Sequence, residues 1–372
     1  MKKILLFFLV LAIIGTTSLW VRYGGGTAYP DLSTSPILDS GSLEEVLTYS
    51  EPVGNVAVNR DDRLFFTVHP EARPQGNKLL EYVRGAAVPY PSWGQQDELF
   101  DTVLGVAIDR FNRLWTIDHG NHGTRPARIV AIDLDTDTVI REQKLSPDIA
   151  PFGSFLQDLQ VSADGNTLVI ADTSVWRKSP AIIVYDVEMG SARRVLEGHE
   201  SVAAEEYMIR SMGRNMEFLG GIVTLRGGID GIALGPEWLY YGALSGSGLY
   251  RVRLRDLRND SLPPGQLANR VERVSDKPLS DGLSVDVAGN VYITAIEHNS
   301  IFIAGPDRDP ATLIESDRLR WPDALSFGPD GYLYIADSAL PELILQSREH
   351  ISNSGPYRIF RFRPGVAGVP GQ

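Results

Sequence analysis

The chain has 372 residues, 43% of them hydrophobic, enough for one large domain or two ordinary ones. Its 47 acidic side chains outnumber 35 basic ones, for a formal net charge of −12, a balance that argues against nucleic acid or anionic lipid as a partner. There is no cysteine, so disulfides and thiolate metal sites are excluded.

The first element in chain order is an export signal over residues 1–22. Lys2 and Lys3 precede an apolar run at 4–14, the pattern of a charged n-region and an apolar h-region. No Ala-x-Ala follows, and the nearest small-residue site is Gly26-Thr27-Ala28. The apolar stretch 4–21 is near the lower limit for a spanning helix. A cleaved signal peptide and an uncleaved membrane anchor therefore both stay open. In either case the lysines keep the N-terminus inside and place the rest outside the cytoplasm, in the periplasm or extracellular space. Residues 23–42, rich in Gly, Ser and Pro, read as an exposed linker.

Beyond it, LEEVLTY (43–49) is a lone strand. Six related stretches follow: NVAVNRDDRLFFTV (55–68), GVAIDRFNRLWTID (105–118), DLQVSADGNTLVIAD (158–172), GIALGPEWLYYGAL (231–244), GLSVDVAGNVYITAI (282–296) and ALSFGPDGYLYIAD (324–337). Each is an apolar alternating strand, a polar turn and a second strand, the signature of a hairpin. Successive first strands start 50, 53, 73, 51 and 42 residues apart, a period that predicts blades of four strands. The expected fold is all-β, a six-bladed β-propeller over 43–363 with the N-terminal strand closing the last blade, followed by a tail at 364–372. Residues 127–145, 181–196, NSIFIAG and YRIFRFRP supply outer strands. RVRLRDLR (251–258) reads as a solvated outer strand face, and 198–228 as a rim loop with a short helix. Trp115, Trp238 and Trp321 are assigned to the core.

In a propeller the loop leading into each innermost strand lies at one mouth of the central channel. Two positions before the first strands the residues are Gly54, Leu104, Gln157, Asp230, Asp281 and Asp323, with Asp158 beside Gln157. Three carboxylates converging there would repel one another and call for a bound cation or a raised pKa. An all-oxygen set suits Ca²⁺ or Mg²⁺, with Asp230, Asp281 and Asp323 as metal ligands; the alternative is that each Asp caps its own turn. A second column, at the ends of the second strands, contains His69, Asp118 with His119, Asp172, Glu297 with His298, and Asp337, where strand-end and turn chemistry is the plain alternative. His119 and His122, in DHGNHG, read as loop residues. GxSxG, HExxH and GxGxxG are all absent, so a serine hydrolase, zincin or nucleotide enzyme has no support.

RLWTIDHG with PARIVAIDLDTDTVIREQKLSP, FLQDLQVSADGNTLVIADTS, GIDGIALGPEWLYYGALSGSGLYRV and WPDALSFGPDGYLYIADS resemble the major royal jelly protein/yellow family over about residues 43–363. Insect members carry cysteines; the lack of them here suggests a bacterial member. The resemblance implies a six-bladed secreted propeller. It also implies either dopachrome conversion of the tautomerase type or carriage of small aromatic amines. SDGLSVDVAGNVY is more distantly similar to gluconolactonase/senescence-marker propellers, which hold one divalent cation. Asp281 matches the Asp of that motif, Asp230 and Gln157 stand where that family has Asn, and its metal-binding Glu falls on Gly54.

The expected function is binding of a small cationic or aromatic molecule, or a divalent cation, at the channel mouth. Gln157, Asp158, Asp230, Asp281 and Asp323 would form its walls, with Asp118, Asp172 and His298 nearby. The alternative is an enzyme, a tautomerase or a metal-assisted lactone hydrolase, with Asp281 as catalytic base. The expected protein is a monomer, meeting a membrane only through its N-terminal anchor.

Overall fold

The computed structural model describes residues 2–372. Six four-stranded antiparallel sheets form a closed ring. The innermost strands are Val53–Val58, Val103–Ile108, Leu156–Val161, Ile229–Leu234, Leu283–Val285 and Pro322–Phe327, and each packs against the next. Alternating apolar residues on both faces of each blade produce six buried clusters, one at each blade interface. Between blades 2 and 3, for example, Trp115, Ile117 and Ile129 meet Leu159, Ile170 and Tyr185. The strand Glu44–Tyr49 pairs antiparallel with Tyr357–Phe362 and closes blade 6. Glu44 and Glu45 face Arg361 and Arg358 across that seam, at 2.9 and 3.1 Å. Closure leaves no free ring edge.

The Asp-Gly pairs at the channel mouth have a packing reason. A Cβ on Gly231 would stand 2.2 Å from the Asp281 carbonyl oxygen, and one on Gly282 would stand 2.4 Å from that of Asp323. The backbones of neighbouring inner strands approach so closely there that only glycine fits. Just before the ladder proper, the inner strands of blades 1, 2, 3, 4 and 6 also carry a bulge. A bulge leaves residues unpaired and re-aims their side chains, here Gln157, Asp158, Asp230 and Asp323.

Some elements differ from expectation. The strand Gly248–Arg253 stops short, and Leu254–Arg258 is a helix with Leu254 and Leu257 buried, so 251–258 is not a continuous solvated strand face. The insertion 198–228 contains a 3-10 turn at Glu200–Val202 and two short β-ribbons, Arg210–Ser211 with Arg214–Asn215 and Glu217–Phe218 with Val223–Thr224. Residues 364–372 run across the far end of the channel. Ile108 N–H donates to Gly371 O, Phe327 N–H to Gln372 O and Gly371 N–H to Phe327 O, at 2.7–2.8 Å. The channel is therefore closed at that end.

At the other terminus α1 (Lys2–Tyr23) is an exposed helix, long and apolar enough to cross a membrane. Residues 24–42 are exposed for most of their length, yet tied down at Thr27, beside Tyr207, and at residues 37–38, along the outer strand of blade 5.

Candidate functional site

The channel mouth opposite the C-terminal segment holds a cavity of about 140 Å³, room for one six-membered ring. Its floor is Gln157 and Asp230, set there by bulges, and Asp281, which stands just before the unbulged inner strand of blade 5. One wall carries His69, Glu71, His122 and Phe155, from the loops of blades 1 and 2 and the start of blade 3. The rest is largely apolar: Phe218, Leu219, Val223 and Leu225 from the insertion, Trp176 from blade 3, and Leu340 and Ile344 from blade 6.

The floor is a buried acidic cluster. Asp281 accepts from Gln157 Nε2 and from Trp321 Nε1, each at 2.7 Å. Burial nevertheless pushes its carboxyl up to about 7, against the lowering effect of those two donors. Asp158 is likewise pushed to about 7 by burial, while the N–H groups of Ile232 and Leu159 oppose the shift. Asp230 and Asp323 are held well above the ordinary carboxylate range, by burial first and then by the neighbouring carboxylates. Asp230 Oδ1 and Asp323 Oδ2 have no hydrogen-bond partner. His69 Nε2 lies 3.6 Å from Asp323 Oδ2, and burial holds the imidazole down at about 4, so the ring is neutral. Its Nδ1 accepts from Glu71 N–H, which leaves the ring proton on Nε2 facing Asp323. Lys277 is fully buried behind the floor. It donates to Ala243 O, Pro278 O and Ser280 Oγ, and burial brings its amine down to about 7. At neutral pH, then, the floor shares protons among several carboxyl groups rather than carrying four negative charges.

On the wall, His122 Nε2 meets Glu71 Oε1 at 2.8 Å and its ring stacks on Phe155, with centroids 4.8 Å apart. Burial would raise the Glu71 carboxyl, but the hydrogen bond and charge of His122 outweigh it and hold it below its ordinary value. The sequence pattern reads His122 as a loop residue, and the structure keeps it in a loop but places it on the cavity wall, a position the pattern did not reveal. Its partner lies 51 residues earlier, on another blade, and the only local signal is its place in a glycine-rich loop at a second-strand end.

The profile of the family described as Major royal jelly protein matches residues 101–319, more than half of the chain. The chain belongs to the major royal jelly protein family. Among its relatives, Major royal jelly protein 2 of Apis mellifera is 29% identical over 191 residues, 48% of this chain and 39% of that protein. Major royal jelly protein 1 of the same organism is 26% identical over 46% of this chain and 41% of its own length. The matched region spans about two fifths of these relatives. Of solved structures, a gluconolactonase from Xanthomonas campestris is 14% identical with a TM-score of 0.53, covering 86% of this chain and 89% of that one. The calcium-binding protein regucalcin from Agrobacterium tumefaciens is 12% identical with a TM-score of 0.56, covering 91% and 100%. These two likenesses are of fold.

In this royal jelly family member the two acidic columns part company. Gln157, Asp230 and Asp281 reach the cavity, with Asp323 buried and Asp158 partly buried near them. Asp118 instead accepts from the N–H groups of Asp101, Thr102 and Gly120, and Asp172 from Phe155 N–H, Ser154 Oγ and Arg194. Both brace the connection into their own blade, and neither lines the cavity. His298 sits outside it too, 3.5 Å from Asp31. As placed, Asp230 and Asp323 each offer a free oxygen while both Asp281 oxygens are engaged. Among the described residues no three His, Asp or Glu side chains form a metal-holding group.

Proposed function

We propose that this protein is an exported binding propeller whose mouth cavity takes one small ring-bearing molecule with a cationic or hydrogen-donating group. The observation that carries the reading is Asp230 Oδ1, a buried and unpartnered carboxyl oxygen at the floor of a cavity whose remaining walls are largely apolar. A buried polar atom without a partner costs on the order of 1–3 kcal/mol, and a ligand donor would remove that penalty. Phe155, Phe218, Leu225 and Ile344 would hold the ring.

A second reading is an enzyme, supported by protonated buried carboxyls and the His122–Glu71 pair on one cavity. Asp281, near 7, would move the proton as general acid or base, oriented by Gln157 and Trp321. A tautomerisation or a lactone hydrolysis is the reaction class. A divalent cation shared by Asp230, Asp281 and Asp323 belongs to the same set of proposals.

The test is thermal unfolding of chelator-stripped protein with aromatic amines, neutral aromatic analogues, lactones, and Ca²⁺ or Mg²⁺. A ligand at 100 times its Kd adds about 2.7 kcal/mol. The binding reading expects a shift with an amine that Asp230→Asn abolishes. A shift with metal alone, or turnover of a lactone, moves the assignment to the second reading. No shift with any probe overturns the cavity as a ligand site.

A further inference from the structure

Between Lys3 and Arg22, α1 carries no charged residue, and its side chains from Lys3 to Arg22 are exposed. Its 22 residues make a rod of about 33 Å, which matches the roughly 30 Å hydrocarbon core of a bilayer. Its apolar stretch is not buried inside the protein.

The root of that helix is built into the cavity rim. Tyr23 Oη donates to Trp176 O at 2.9 Å, Arg22 to Arg177 O at 3.0 Å, and Arg226 to Gly24 O at 2.8 Å. The Tyr23 and Trp176 rings meet edge to face, and α1 packs against the Val223–Thr224 strand. Thr27 N–H donates to Glu206 O, and Met208 N–H to Thr27 O, both at 2.9 Å. Arg226 also pairs with Glu206. Trp176, Val223 and Thr224 line the cavity. Residues 22–27 thus form part of the mouth, which is not expected of a leader that is cut away.

The same rim displays apolar side chains that the protein leaves uncovered. Phe152 is 77% exposed, Leu345 69% and Leu219 66%, with Trp176 at 44% and Trp20 at 52%. Trp and Tyr at the end of a spanning helix suit the interfacial zone. Scattered surface apolar residues need no explanation, but Trp176 touches the root of a membrane-length helix, and Leu219 and Leu345 line the same cavity as Trp176.

We propose that α1 stays attached and seats the mouth of the propeller on the outer face of a lipid bilayer, with Phe152, Leu219 and Leu345 in the interfacial layer. The cavity then opens at headgroup level. The contact is apolar, consistent with an acidic chain that has no affinity for anionic lipid through net charge. It stands independently of what the cavity binds.

The cysteine-free sequence allows a direct test. Single variants of the full chain, Phe152→Cys, Leu219→Cys, Leu345→Cys and, on the opposite face, Met189→Cys, are labelled with an environment-sensitive fluorophore. They are then reconstituted into zwitterionic vesicles with and without spin-labelled lipid. The three rim labels are expected to shift to the blue and to be quenched at least twofold by the spin-labelled lipid, while the Met189 label does neither. Rim labels that behave like Met189 would overturn the proposal. So would a blue shift that follows protein concentration instead of lipid, which would assign the rim to a second copy. An N-terminus beyond residue 23 on protein recovered from exporting cells would overturn it too. None of these readouts needs a cavity ligand, so they fail or succeed separately from the binding reading.

Discussion

Trp321 donates its indole Nε1–H to Asp281 Oδ2 at 2.7 Å, tying the start of blade 6 to the acidic floor contributed by blade 5. The indole is fully buried, so this single tryptophan is both a core residue and a polar partner in the site. A bond to a charged acceptor is worth more than one to a neutral group, about 1.5–3 against 0.5–1.5 kcal/mol. Asp281 changes charge near pH 7. Trp321→Phe is therefore expected to lose about 1 kcal/mol more stability at pH 8 than at pH 5, as read by urea unfolding at both values. The packing loss is common to the two, so equal losses would mean that the indole bond is not made.

Asp230 gives a second pH signature, with the opposite consequence for stability. Its carboxyl is raised well above the unfolded value. The folded state therefore binds more protons than the unfolded one in the window between the two values. Stability from this group is fully present below about pH 4 and is lost as pH rises through the raised folded value. Asp230→Asn mimics the protonated form. It should match the parent protein at pH 4 and exceed it at pH 8, by about 1.4 kcal/mol for each pH unit that separates the folded and unfolded values within that range. Thermal unfolding across pH 4–8 measures this, and a constant offset would show that Asp230 titrates normally. The same substitution is the one expected to abolish amine binding, so greater stability and lost function should appear together.

Arg194 and Asp172 form a buried pair at 2.8 Å, with side chains 8% and 0% exposed. Arg194 also donates to Ile149 O and Ser179 O. Arg194→Ala leaves Asp172 charged and buried, a defect that typically costs about 3–5 kcal/mol. A large fall in the denaturation midpoint with ligand shifts retained would confirm that Asp172 braces blade 3 and takes no part in the cavity. A fall below about 1 kcal/mol would count against that assignment.

The segment crossing the far end of the channel should behave as a structural plug. Removing residues 367–372 exposes the backbone groups of Ile108 and Phe327 that it satisfies. Each bond contributes about 1 kcal/mol net, so a loss of about 3 kcal/mol is expected. Hydrogen exchange at Ile108 and Phe327 should quicken while blade-interface amides such as Ile170 stay protected. Unchanged exchange at both would mean that the segment does not hold the channel closed.

The ring was readable from the chain because it rests on local rules. An alternating apolar strand, a turn of Asp, Gly or Asn, and a second apolar strand recur six times. Each hairpin can bury its faces only against another of its kind, so six hairpins imply a ring. The same pattern made LEEVLTY a strand without a local partner, and Tyr357–Phe362 is the partner that closure supplies. Where local pattern misled, at 251–258, a helical turn buries Leu254 and Leu257 beside blade 3, a demand that comes from the neighbouring blade.

The site is a different matter. Asp118 and Asp281 look alike in sequence, each flanking a strand of a repeat. A close inter-blade approach sends the Asp281–Gly282 pair towards the axis, while the strand-end position of Asp118 turns it into a cap for its own loop. Glu71 and His122 meet only because blades 1 and 2 stand side by side. The lid of Phe218 to Leu225 reaches the cavity only because its ribbon folds inward over the mouth. Periodicity, composition and turn chemistry act over a few residues, so the sequence alone determined the blades, their number and their order. Which side chains share the cavity depends on contacts between loops far apart in the chain, such as His69 with Asp323, and those exist only once the ring has closed.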